Sequence, residues 1–185
     1  MRDTSRACLT KEHRYGESKG YRSGRDGRYV AYVVRESGGV GIWVRQVVTQ
    51  STDVEIVPAE DLDLVGLTFS HDGNYLYFVR ANNNGVFSLF VTPVLGGPVR
   101  LLLKDVDSPV SFTPDGHQFV FTRSILNQNA IELRIAESDG SGDHLLATFR
   151  DVATFHQSGA TWSQDGTTIA ISLMFLEVFS ERDIP

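Results

Sequence analysis

Cysteine occurs once, at Cys8, so no disulfide can form within the chain and redox compartment cannot be read from it. The five histidines (His13, His71, His117, His144 and His156) are scattered. None pairs with Cys8 or an acid at metal-ligand spacing, so no metal is expected. Long apolar runs are missing too. The longest, 169–179, is interrupted by Ser172 and Glu177 and is too short to span a bilayer. The opening residues, Met-Arg-Asp-Thr-Ser-Arg-Ala-Cys-Leu-Thr, hold no apolar core of signal-peptide length, so no export address is expected. A basic excess is absent as well. There are 17 Lys and Arg against 23 Asp and Glu, a net charge of −6. That argues against nucleic acid, because phosphate binding needs a basic footprint. The one local exception is 1–22, which is polar, mixed in charge and without apolar periodicity. It reads as a disordered or poorly packed lead-in.

Catalytic patterns are missing or out of context. Gly16-Glu17-Ser18-Lys19-Gly20 matches Gly-x-Ser-x-Gly, but that motif works only where a strand enters and a helix leaves. Residues 11–15 do not read as a strand, nor 21–24 as a helix. Gly38-Gly39-Val40-Gly41 lacks the third glycine and following helix of a dinucleotide site, so no cofactor is expected. No Asp-Phe-Gly occurs, and His13-Arg14-Tyr15 is not a kinase catalytic loop.

What is present is repetition. Leu67–Val79 runs apolar, then polar at 70–74, then apolar again. This is a hairpin signal centred on Asp72-Gly73. The same phrase recurs around Asp26-Gly27, Asp115-Gly116 and Asp165-Gly166, at steps of 46, 43 and 50 residues. Such a period means a propeller, solenoid or array. A second register agrees: Ile42-Trp43-Val44, Leu89-Phe90-Val91 and Leu133-Arg134-Ile135 begin 16, 17 and 18 residues after their aspartates. Each unit therefore offers four short strands, A to D. They are expected at 28–35, 42–48 and 54–57; at 64–69, 75–79, 87–91 and 99–103; at 109–112, 118–123, 131–136 and 144–149; and at 160–163 and 168–173. The turns between them are rich in Gly, Asn, Asp and Pro.

Strand B is apolar on both faces, as in Tyr75-Leu76-Tyr77-Phe78-Val79, which implies a sheet packed between two neighbours. Four-stranded antiparallel sheets stacked at this period are β-propeller blades. The expected fold is all-β, a partial β-propeller of about three and a half blades over 23–185. Its units are about 23–58, 62–104, 108–150 and 158–185, the first lacking strand A and the last lacking C and D.

The turns Ser70-His71-Asp72-Gly73, Thr113-Pro114-Asp115-Gly116 and Ser163-Gln164-Asp165-Gly166, each followed by an apolar strand, resemble the WD40-like propeller repeat of TolB-type proteins. Arg25-Asp26-Gly27 is a partial match, with Gly24 where Ser or Thr is usual. The wording of the second and third units also resembles propeller regions appended to bacterial serine/threonine kinases and winged-helix regulators. The resemblance implies a protein- or ligand-binding module from a longer bacterial protein of the periplasm or envelope. A sensor region, or the gating propeller of a prolyl-oligopeptidase-type hydrolase, is the alternative. Since such rings usually close with six or more blades, the chain is expected to be a fragment whose unpaired blade edges offer self-association.

Connectivity sorts the loops. A–B and C–D turns share one end of the blades, and B–C and D–A loops share the other. The repeated Asp26, Asp72, Asp115 and Asp165 are read as structural, because a residue needed in every blade serves the blade. The second end gathers Glu60, Asp61, Asp63, Asp105, Asp107 and Asp151. This acidic loop face is the candidate site for a basic peptide or cation, against the plainer reading of a solvated rim. No catalytic residue is expected.

Overall fold

Residues 18–23, 27–47, 52–151 and 159–173 are described by a computed structural model. Alternation of branched and aromatic residues with Asp-Gly turns produces sheets in chain order. Blade 1 comprises β1 (Ser18–Ser23), β2 (Tyr29–Glu36), β3 (Gly39–Gln46) and β4 (Val54–Glu60). Blade 2 comprises β5 (Leu64–Phe69), β6 (Tyr75–Ala81), β7 (Phe87–Pro93) and β8 (Arg100–Lys104). Blade 3 comprises β9 (Ser111–Phe112), β10 (Gln118–Ile125), β11 (Ala130–Glu137) and β12 (His144–Arg150). A two-stranded sheet, β13 (Ala160–Trp162) with β14 (Ile169–Ile171), begins blade 4. All pairings are antiparallel between sequential strands. Three and a half blades are therefore present among the described residues.

One expectation is corrected. Blade 1 does not lack strand A, and the lead-in does not extend to residue 22. Ser18–Ser23 pairs antiparallel with β2, with Tyr21 opposite Tyr32 and Ser23 opposite Val30. The segment Ser-Lys-Gly-Tyr-Arg-Ser has no apolar pattern of its own, so its conformation is set by the neighbouring strand rather than by propensity. Ser18 thus lies in a strand, not at a strand-to-helix turn.

Packing explains why strand B is apolar on both faces. Leu76 and Phe78 join Ala31, Val33, Ile42 and Val57 in the cluster between blades 1 and 2. Their strand neighbours Tyr77 and Val79 join Phe119 and Phe121 in the cluster between blades 2 and 3. Val120, Leu133 and Ile135 meet Ala160, Trp162, Ile169 and Ile171 between blades 3 and 4. Each buried side chain of this size contributes about 1.5–3 kcal/mol. Trp162 thus packs between blades 3 and 4.

Candidate functional site

The A–B turns share one construction. Ser70 Oγ donates to Asp72 Oδ1 at 2.5 Å and accepts the Tyr75 N–H at 2.9 Å, while Asp72 Oδ1 accepts the Asn74 N–H at 3.1 Å. Thr113 and Asp115 repeat this with Gln118 and His117. Ser163 and Asp165 repeat it with Thr168 and Thr167. Hydroxyl and N–H donors stabilise the ionised form, which holds all three carboxyls below their ordinary range. The Ser163 hydroxyl, with the Thr167 N–H and hydroxyl, takes Asp165 down to about 2. Asp26 lies outside the described residues, although Gly27 has the same positive φ, 69°, as its counterparts.

The turns also stack on one another, which their spacing does not reveal. A Cβ on Gly116 (φ 76°) would lie 2.4 Å from His71 Cβ, so the glycine is needed for close approach as well as for its backbone angle. Pro114 lies against Gly166 in the same way, 3.3 Å from the position of a Cβ. His71 is therefore more than an exposed turn residue.

These turn carboxylates carry a pH dependence. Their folded-state pKa values are lowered, so their stabilisation is complete above the ordinary Asp value near 4 and disappears as pH falls towards 2. The urea midpoint is expected to fall over that window at constant slope. The triple variant Asp72→Asn, Asp115→Asn, Asp165→Asn should show a shallower acid limb. An unchanged limb would mean that these turns contribute no linkage.

At the other end lie the six acidic residues, several of them in local contacts. Glu60 pairs with Arg80 at 2.9 Å, and Arg80 also lies 4.7 Å from the Phe90 ring centroid. Arg123, eight residues after Asp115 as Arg80 is after Asp72, reaches back in the same way. It donates to the Asp105 and Lys104 carbonyls at 2.8 and 3.2 Å and pairs with Asp143 at 3.0 Å. Asp143 in turn holds Arg134, which also pairs with Glu132. Asp61, Asp105 and Asp151 each directly follow a D strand, and Asp105 and Asp151 adopt positive φ, 55° and 57°. Asp63 accepts the Ala81 N–H through its backbone carbonyl. Among the described residues, no group of three His, Cys, Asp or Glu is placed to hold a metal ion.

Asp107 is the half-buried member. Its carboxylate accepts the Ser124 N–H at 2.7 Å, and desolvation raises its pKa despite that bond. A raised folded pKa means that the stability linked to protonation is complete below the unfolded value and is lost as pH rises through the folded one. Asp107→Asn keeps an acceptor without the charge, so its stability at neutral pH should equal or exceed that of the parent. Asp107→Ala orphans the Ser124 N–H and should cost about 1–3 kcal/mol. Chemical denaturation of both variants checks this. Equal losses would exclude the desolvation argument.

A third feature was not anticipated. The first strands of blades 2, 3 and 4 stand side by side. Thr68 Oγ1 donates to the Val110 carbonyl at 2.8 Å, and Trp162 N–H to Ser111 Oγ at 3.1 Å. Between them runs an open groove of about 680 Å³, lined by Thr68, Phe69, Ser111, Phe112, Thr161 and Trp162. His71, Pro114 and Gln164 of the turns lie along it. No described helix is long and apolar enough to cross a membrane.

No protein-family model matches the sequence, and no curated protein matches it. Solved structures do. TolB from Acinetobacter baumannii superposes with a TM-score of 0.63 at 23% identity, over 84% of this chain and 37% of TolB. Prolyl oligopeptidase B from Galerina marginata gives 0.62 at 14% identity, over 86% of this chain and 27% of that one. The β-propeller domain of the Trilobed protease from Pyrococcus furiosus, described as having an open velcro topology, gives 0.57 at 15%, over 84% and 48%. The chain thus spans a quarter to a half of each of these proteins. At such identities the likeness concerns the fold. The described residues form a stretch of β-propeller, three full blades and half of a fourth, in the fold shared by TolB and the propellers of peptidases.

Proposed function

We propose that this chain is the part of a larger bacterial β-propeller that presents a binding surface for a protein or peptide, without making or breaking bonds. The observation that carries this is the groove along β5, β9 and β13. It offers hydroxyls and aromatic rings together, on strands fixed by inter-blade hydrogen bonds. The likeness to TolB supports a location in the bacterial envelope. The likeness to peptidase propellers favours a second reading, a propeller that screens access to a separate hydrolase domain.

The test is selection of peptides from a random displayed library on the immobilised chain. Enriched peptides should bind Gln164→Arg, at the edge of the groove, at least tenfold more weakly. They should remain uncleaved after prolonged incubation. Undiminished binding by the variant, or no enrichment, would overturn the groove reading. Cleavage would overturn the non-catalytic one.

A further inference from the structure

Five described pairs set a side-chain carbonyl group next to a glycine nitrogen: Asp72-Gly73, Asn84-Gly85, Asp115-Gly116, Asp139-Gly140 and Asp165-Gly166. Without a Cβ, the glycine leaves its own nitrogen open to close on the preceding side chain. In all five the glycine N–H donates to the carbonyl three residues back, at 2.8–3.1 Å, so that bond does not distinguish them. The side chains do.

The four aspartates are locked. Asp72, Asp115 and Asp165 each hold Oδ1 between a hydroxyl and an N–H, and Asp139 Oδ1 accepts the Ser141 N–H at 2.9 Å. These donors keep all four ionised below the ordinary carboxylate range. An ionised carboxylate repels a nucleophile and offers no leaving group. Their glycines are hemmed in as well. Gly73 is buried, and a Cβ on Gly116, Gly140 or Gly166 would lie 2.4, 2.9 or 3.3 Å from His71, Leu102 or Pro114.

Asn84 differs on each count. Its side chain is a neutral amide and makes no hydrogen bond among the described residues. Asn84 and Gly85 are both exposed, and nothing lies within 4 Å of a Cβ added to Gly85. The turn is held by Asn82 instead, whose Oδ1 accepts the Asn84 and Val86 N–H groups at 2.9 and 3.0 Å.

We propose that Asn84-Gly85 is a site of spontaneous covalent modification on the β6–β7 turn. The Gly85 N–H leaves the Asn82 carbonyl and gives its proton to hydroxide. The nitrogen bonds to Asn84 Cγ, the Cγ–Nδ2 bond breaks, and ammonia departs, leaving a cyclic imide. Water then opens the imide at either carbonyl, giving aspartate or isoaspartate at position 84. No enzyme, oxidant or cofactor is required. The new carboxylate enters an open cleft that Asn84 lines with Glu60, Arg80 and Phe90. Glu60 already balances Arg80 there, at 2.9 Å, so the acidic loop end gains an uncompensated charge. The isoaspartyl form also adds a carbon to the backbone of the turn, which is closed by the Asn82 N–H donating to the Val86 carbonyl at 2.9 Å.

The purified chain is incubated for days at mildly alkaline pH, sampled, and cleaved with trypsin. Peptide 81–100 should exchange an amide for an acid, placed at residue 84 by fragmentation and present as both aspartate and isoaspartate. Conversion should quicken as pH rises, because attack needs the deprotonated nitrogen. Asn82, Asn83 and the four Asp-Gly pairs should be unchanged when half of Asn84 has reacted. Asn84→Gln, which closes a larger and less favourable ring, should leave the peptide unmodified. The chain in urea gives the reactivity of the unrestrained pair. Asn84 intact in the folded chain while it converts in urea, conversion of Asn82 or Asn83 at the same rate, or isoaspartate appearing first at an Asp-Gly pair would each overturn the proposal.

Discussion

Gly39→Ala is expected to destabilise the chain by about 3–5 kcal/mol, combining a strained backbone with a forced backbone shift. Gly39 opens β3 at φ 122°, where a side chain is strained whatever the space. Here there is no space either. A Cβ would lie 2.1 Å from both the carbonyl carbon and oxygen of Glu60, and 2.6 Å from the Asp61 nitrogen. These are backbone atoms at the end of β4, which pairs with β3 through Val40 and Glu60. They cannot turn aside as a flexible side chain would, so relief requires parting of the two outer strands. Gly85→Ala is the control. Its φ is also positive, 75°, but nothing lies within 4 Å of its added methyl. It should cost only about 1–2 kcal/mol of backbone strain. Urea denaturation measures both, and hydrogen exchange should show β3 and β4 losing protection first in Gly39→Ala. Equal losses in the two variants would refute the steric argument.

The contrast between these glycines bears on what the sequence could reveal. Local features were legible because their causes are local. Asp-Gly after Ser or Thr specifies a turn within six residues, and the strands of blades 2 and 3 follow from it. The D–A acids are equally local. Asp61-Leu62-Asp63 and Asp105-Val106-Asp107 are one phrase repeated, and Asp151 begins it again. The argument that makes Asp72 and Asp115 structural applies to them, and the bonds of Asp107 and the backbone angles of Asp105 and Asp151 agree. Arg80 and Arg123 were a further repeated signal at a fixed distance from Asp-Gly. What was not legible depends on how one blade is turned against the next. His71 over Gly116, Thr68 bonded to Val110 and the groove along β5, β9 and β13 join residues about 40–50 apart, where sequence periodicity gives the partner blade but not the contact. The strand β1 was hidden for a related reason, since its pairing with β2 is written in β2.

Phe119→Ala should produce the other large effect, a loss of about 3–5 kcal/mol, typical of a buried aromatic truncated in a packed core. Phe119 is fully buried and central to the cluster between blades 2 and 3. Its ring lies 5.7 Å from Phe112 edge to face, 6.0 Å from Phe121 and 6.4 Å from Tyr77. Tyr77 is tied in turn to the Ser138 carbonyl at 3.2 Å. Deleting the ring removes contacts from three strands of two blades at once. Total stabilities are commonly about 5–15 kcal/mol, so this single change approaches global unfolding. Phe119→Leu retains most of the volume and should lose less than half as much. Thermal and urea melts of the pair provide the measurement. A loss in Phe119→Ala no larger than in Phe119→Leu would mean that blades 2 and 3 are not held together through this ring, and the order of blades derived from the apolar clusters would have to be abandoned.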